Sequence, residues 1–204
     1  MSSESAESLD SPNTSGPLSR ASQFFYTKSN LVTGLLMTSV FVGYLGLFLT
    51  AKGTAFEVAN SNVRSLGTSL GFGQAEILAF FAERSDQMID AYIDFNQIWD
   101  TLFGLIYGLM YVVWVSVLLK SYSQRAGVLN LLPFGQVVFD WIENFALVAL
   151  SNQFLADGVI SPSTAVLAST ASVVKWVFSL LIYVLILVGI VMRLARAVKR
   201  RRRR

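Results

Sequence analysis

The chain has 204 residues, 53% of them hydrophobic and only 14% charged, against about 25% charged in an average soluble domain. It has no cysteine and no histidine. That excludes disulfides, thiol catalysis, thioether haem attachment, histidine proton relays and the usual zinc sites, so no cofactor and no metal is expected. The net charge of +3 says little about partners, because eight of the 16 basic residues lie between Arg193 and Arg204 and the remainder is acidic.

The apolar residues gather in four blocks. This pattern predicts an all-α integral membrane protein, a four-helix bundle with an amphipathic helix in its outer loop. Residues 1–29 are rich in Ser, carry Glu4, Glu7, Asp10 and two prolines, and read as a disordered cytoplasmic tail. Phe24, Phe25 and Tyr26 are expected at headgroup level, where amphipathic rings are favoured. The first span, 31–51, is 21 residues without a charge and matches the roughly 20 needed to cross the hydrocarbon. Gly53, Thr54 and Ala55 offer small residues for a signal-peptide cleavage site, but the apolar run is too long and follows too long a polar tail.

The outer loop covers 52–98. Its second half places Ile77, Phe81, Met88, Tyr92, Phe95 and Trp99 at helical spacing between acids, which predicts an amphipathic helix over about 75–99, on the membrane surface or capping the bundle. Gly53, Gly67, Gly71 and Gly73 mark the first half as plain loop. The second span, 101–119, contains Gly104 and Gly108, a spacing that lets helix backbones approach; intrachain packing is favoured over dimerisation. The third span covers 128–151 with Pro133 in its first turn, and the fourth covers 164–192. Together 30–196 form the bundle, followed by a polybasic cytoplasmic tail at 197–204.

Basic residues fix the orientation. Arg20 and Lys28 precede the first span, Lys120 and Arg125 join the second to the third, and the arginine run follows the fourth. Both termini are therefore expected in the cytoplasm, with the protein multi-pass in the plasma membrane. The run Lys199, Arg200, Arg201, Arg202, Arg203 and Arg204 is expected to contact anionic lipid headgroups, since each basic residue there gains about 1 kcal/mol. No nucleic-acid partner is expected; beyond the bilayer, a homodimer or a protein partner is open.

The third span carries acids where acids are costly. Gln136, Asp140, Glu143, Asn144 and Ser151 share one helical face, and Ser172, Lys175 and Ser179 share one on the fourth span. At about 1.5 Å per residue, Asp140 falls near the midplane, Glu143 about 4 to 5 Å outside it and Lys175 roughly 9 Å outside, a gap that a lysine stem covers. This predicts a buried ion pair of Lys175 with Glu143 or Asp140, with Asn144 as a hydrogen-bonding neighbour. One lysine cannot neutralise two acids, so the other acid is expected to be protonated or bonded to Tyr or Asn, with Tyr44 and Tyr107 at similar depth. Asp100 and Tyr92 are placed at the outer rim. A di-metal site is disfavoured, because such bundles repeat Glu-x-x-His.

Tyr92, Asp100, Tyr107-Gly108, Pro133, Asp140-x-x-Glu143-Asn144 and Lys175 together resemble the pattern of a family of uncharacterised four-span membrane proteins known mainly from bacteria. The resemblance covers Leu31 to Met192. It implies the fold and the choice of residues, and brings no activity with it.

The sequence thus points to a polytopic membrane protein whose polar cluster is a structural network or a small binding cavity. No catalytic residue is assigned. Were it an enzyme acting on a lipid or isoprenoid, Asp140 or Glu143 would serve as general acid or base and Lys175 would orient it. A proton-coupled carrier is the third reading.

Overall fold

The computed structural model describes residues 16 to 201; residues 1–15 of the expected disordered tail, and Arg202, Arg203 and Arg204 of the basic run, lie outside the described residues. Among the described residues the regular structure is helical throughout. Six helices follow in order: α1 (Pro17–Lys28), α2 (Leu31–Phe56), α3 (Gln74–Ala82), α4 (Asp86–Ala126), α5 (Leu129–Asp157) and α6 (Pro162–Arg201). Of these, α2, α4, α5 and α6 are long and apolar enough to cross a membrane. On α2, Val32, Leu36 and Leu47, and on α6, Val166, Leu180 and Leu187, are each more than half exposed. Water would tolerate few such residues in one patch, whereas hydrocarbon covers them without cost.

The expectation of disorder fails for residues 17–28, which form α1. Ser22 donates to the Gly127 carbonyl at 2.9 Å and to Asn130 Oδ1 at 2.7 Å, and the Asn130 amide donates to the Ser22 carbonyl and to Ser116. Tyr26 is buried against Val115, Leu119 and Ile182. Composition alone misses such long-range partners. Lys120 donates to the carbonyls of Thr27 and Ser29 at the end of α1, and Asn30 then caps α2 by accepting from the Thr33 amide at 3.0 Å.

The amphipathic stretch expected as one helix over 75–99 is two. Ser85 caps a new helix start, and the Arg84 side chain folds back to donate to the carbonyls of Phe56 and Phe80. From Asp86 the chain continues into the second span through a π-helical segment, Phe95–Asp100. Ile77, Phe80, Phe81 and Ile89 pack on Leu147 and Leu150 of α5 and on Ala165 and Ala168 of α6, so this region caps the end of the bundle opposite α1 and the last turns of α6.

Within the bundle, α4 packs on α2, α5 and α6, and α5 runs along α6. Small residues set these distances. A Cβ on Gly108 would strike Val137 of α5, and one on Gly104 would lie 2.7 Å from Asp140 Oδ2, which puts the Gly104 and Gly108 pair to use within the chain. On α2, Gly34 lies against Trp114, whose indole donates to Thr38 at 2.9 Å.

Candidate functional site

Periodicity in α5 places Gln136, Asp140, Glu143, Asn144 and Ser151 along one stripe, and all five are buried. The facing side of α6 supplies Ser172, Lys175 and Ser179, also buried. The Lys175 ammonium lies 3.2 Å from Asp140 Oδ1 and is ion-paired with Glu143. It also donates to the Gly67 carbonyl at 3.1 Å. The ammonium thus bonds to one backbone carbonyl and lies within ion-pair distance of two carboxylates.

Gly67 belongs to an outer segment that the sequence marks as plain loop. It is a strap along α6: Ser172 and Trp176 donate to the Ser69 carbonyl at 2.7 and 3.1 Å, and the Phe72 amide donates to Ser169 at 3.0 Å. The strap crosses α6 at Gly71, where φ is +76° and a Cβ would come within 2.9 Å of Val173. The glycine is the one local sign of this close passage.

Asp100 and Tyr92 are not rim residues. Asp100 is half-buried and lines the same cavity as Asp140 and Lys175. Tyr92 is buried in the outer core and reaches that cavity too. The reason is that α4 starts at Asp86 and the cap α3 lies above it, so Asp100 sits inside the fold rather than at its edge. Tyr44 also departs from expectation: its hydroxyl donates to the Trp99 carbonyl at 2.9 Å and does not join the acids. Depth along a helix fixes height and leaves the direction around the axis open.

Tyr107 and Gln136 line the cavity beside Asp140. Asn144 is wholly buried, yet neither of its amide atoms has a hydrogen-bond partner among the described residues, unlike the bonded neighbour expected. The Tyr107 hydroxyl, Gln136 Oε1, Asp140 Oδ2 and Glu143 Oε1 share that condition. Buried polar groups are normally paired, and each exception asks for a reason. Asp140 and Glu143 share one ammonium, and a third acid, Asp100, lines the same cavity as Asp140 and Lys175.

The cavity measures about 930 Å³. Phe41, Leu45 and Leu49 of α2, Phe103, Tyr107 and Tyr111 of α4, and Trp176, Ser179 and Tyr183 of α6 form its walls. Asp100, Gln136, Asp140 and Lys175 supply a polar wall, and residues of the loop after α2, including Glu57, Ser61 and Ser65, line the end beside that loop. Two π-helical segments flank it, Leu45–Leu49 in α2 and Phe95–Asp100 in α4, with Phe48 stacked parallel on Trp99. Such π-helical turns are frequent beside functional sites. Among the described residues no group of three Asp, Glu, His or Cys side chains is placed to hold a metal ion. The chemistry available is that of hydrogen bonding and charge in a chamber with largely apolar, aromatic walls. No family model, curated protein or solved structure matches the chain.

Proposed function

We propose that this protein is a multi-pass protein of the cytoplasmic membrane that binds a small amphiphile in the chamber between α2, α4 and α6, with both termini in the cytoplasm. One observation carries this reading: a cavity of about 930 Å³ with largely apolar, aromatic walls, on which Asp100, Gln136, Asp140 and Lys175 converge at one place, while Glu57, Arg84 and Asn96 also belong to its lining. Ligand sites are commonly about 300 to 1,000 Å³, mostly apolar, with a few convergent polar groups. The surplus of acceptors suits a head that donates hydrogen bonds, such as a hydroxyl or an ammonium, while the apolar length takes a chain. Lys120 bonds to the end of α1, and Arg196 of α6 bonds to Tyr122 in the turn before α5. These contacts gather the basic ends on one face, which supports a shared cytoplasmic side under the positive-inside rule.

The test is extraction of the protein in mild detergent followed by mass spectrometry of what it retains. The wild type is expected to hold one amphiphile class enriched over the bulk lipid. Leu45→Trp, which narrows the chamber from a tolerant and partly exposed position, is expected to lose it while keeping its thermal transition. No enrichment in the wild type overturns the reading.

A second reading has its own observation. Polar residues run from Glu57 and Ser61 at the outer loop to Asp100 and Asp140 inside, a layout that suits a proton-coupled carrier. Reconstituted vesicles that fail to acidify with any candidate ligand would remove it.

A further inference from the structure

A second concave site lies at the opposite end of α6, away from the chamber. Arg193, Arg196, Ala197 and Arg200 fall on one face of that helix and, with Arg201 and Ser121 of the preceding turn, line a hollow of about 520 Å³. The guanidinium of Arg196 stacks on the Tyr122 ring at 3.8 Å and donates from Nε to the Tyr122 hydroxyl at 2.9 Å. Arg193 donates to the Val117 carbonyl. Two of the four arginines are therefore held in place by the end of α4. Among the described residues no carboxylate is ion-paired with any of the four. Like charges brought this close repel, and no described carboxylate is ion-paired with them.

The geometry points to a binding site for the phosphate of an anionic phospholipid headgroup. Guanidinium forks match phosphate oxygens bidentately, and the remaining N–H groups of Arg196 and Arg200 are free to do so. The source of the phosphate follows from the neighbouring face. Val191, Leu194 and Val198 are 56%, 62% and 52% exposed on the same turns of α6, and they give acyl chains an apolar surface beside the headgroup. A soluble phosphate would leave that surface unused. This site differs from a diffuse polybasic tail because Tyr122 fixes the orientation of one of its donors.

The full chain in nanodiscs of phosphatidylcholine with graded phosphatidylglycerol, released for native mass spectrometry, tests the assignment. One phosphatidylglycerol is expected to remain per chain. Arg196→Gln with Arg200→Gln is expected to weaken its retention at least about tenfold, as loss of two charge-assisted contacts implies. The charge-matched pair Arg20→Gln with Lys199→Gln is expected to change it far less. Should the first pair lower the thermal transition, Arg200→Gln alone against Lys199→Gln alone gives the same comparison, since Arg200 makes no side-chain hydrogen bond to the described residues. Equal losses in the two sets overturn the site in favour of diffuse attraction. Displacement of the lipid by inorganic phosphate in millimolar excess overturns the lipid assignment in favour of a free anion.

Discussion

Lys175 is ion-paired with Glu143, whose side chain has no exposed surface. Removing one partner of such a pair strands the other charge, which costs about 3 to 5 kcal/mol, whereas neutralising both can cost far less. Lys175→Met is therefore expected to lower stability in detergent by about that amount. Lys175→Met combined with Glu143→Gln is expected to recover part of it. Thermal unfolding of the single and double variants decides: a double variant no more stable than the single shows that the two side chains are not coupled.

Gly108 and Val137 test the packing of α4 on α5. A methyl group at Gly108 overlaps the Val137 side chain, and overpacking of this kind costs about 1 to 3 kcal/mol. Gly108→Ala is expected to lose stability in that range, with recovery when Val137→Ala is added. Gly46→Ala serves as the comparison, because nothing lies within 4 Å of a Cβ there; it is expected to be neutral or slightly stabilising. Equal loss at both glycines would mean that overlap with Val137 is not the cause, since Ala favours a helix over Gly by itself.

Asn130 ties α1 to the rest of the protein. It bonds to the backbone and side chain of Ser22 and to Ser116 with no exposed surface of its own. Asn130→Leu leaves buried partners unpaired, at about 1 to 3 kcal/mol. Hydrogen exchange is the useful readout. Amides of 17–28 are expected to exchange at least about tenfold faster, with little change in α5 and α6. Unchanged protection of α1 would place its anchor elsewhere.

Gly71 controls the strap over Lys175. Any side chain there is strained by the positive φ and meets Val173, so Gly71→Ala is expected to cost about 1 to 3 kcal/mol locally. Faster exchange across 66–72, together with looser ligand retention in the chamber, is the expected result. If exchange across 66–72 stays as in the wild type, the strap is held by the Ser69 and Phe72 bonds alone.

How much of this lay in the sequence depends on the range of the interaction concerned. The four spans and the polar stripes of α5 and α6 follow from composition and a period of 3.6, which are local quantities. Their meeting through Lys175 also follows, since helix rise and side-chain length limit which residues can touch. By contrast, α1 owes its order to Asn130, more than a hundred residues away, and a Ser-rich segment carries no mark of that. Ser85 was a readable start signal hidden by an uninterrupted apolar period. The carbonyl of Gly67 could not be read at all, because every residue has one. Asp100 precedes the apolar block that begins at Thr101, and composition does not show that the helix itself starts fifteen residues before that block.

One feature of α2 bears on what the chamber can admit. Asn30 and the Lys120 contacts hold its inner end, and Phe56, packed edge-on against Tyr92 and Phe95, holds its outer end. Between them, α2 rests on α4 along one side and presents Leu35, Leu36, Leu47 and Phe48 outward. The chamber is thus walled on that side by a helix tied to α4 along its length, by Trp114 at Thr38, by Phe103 at Phe41 and by Trp99 at Tyr44 and Phe48. Any change in the width of the chamber would therefore carry α2 and α4 together, because α2 moving alone would break the stacked rings and the two hydrogen bonds that join them.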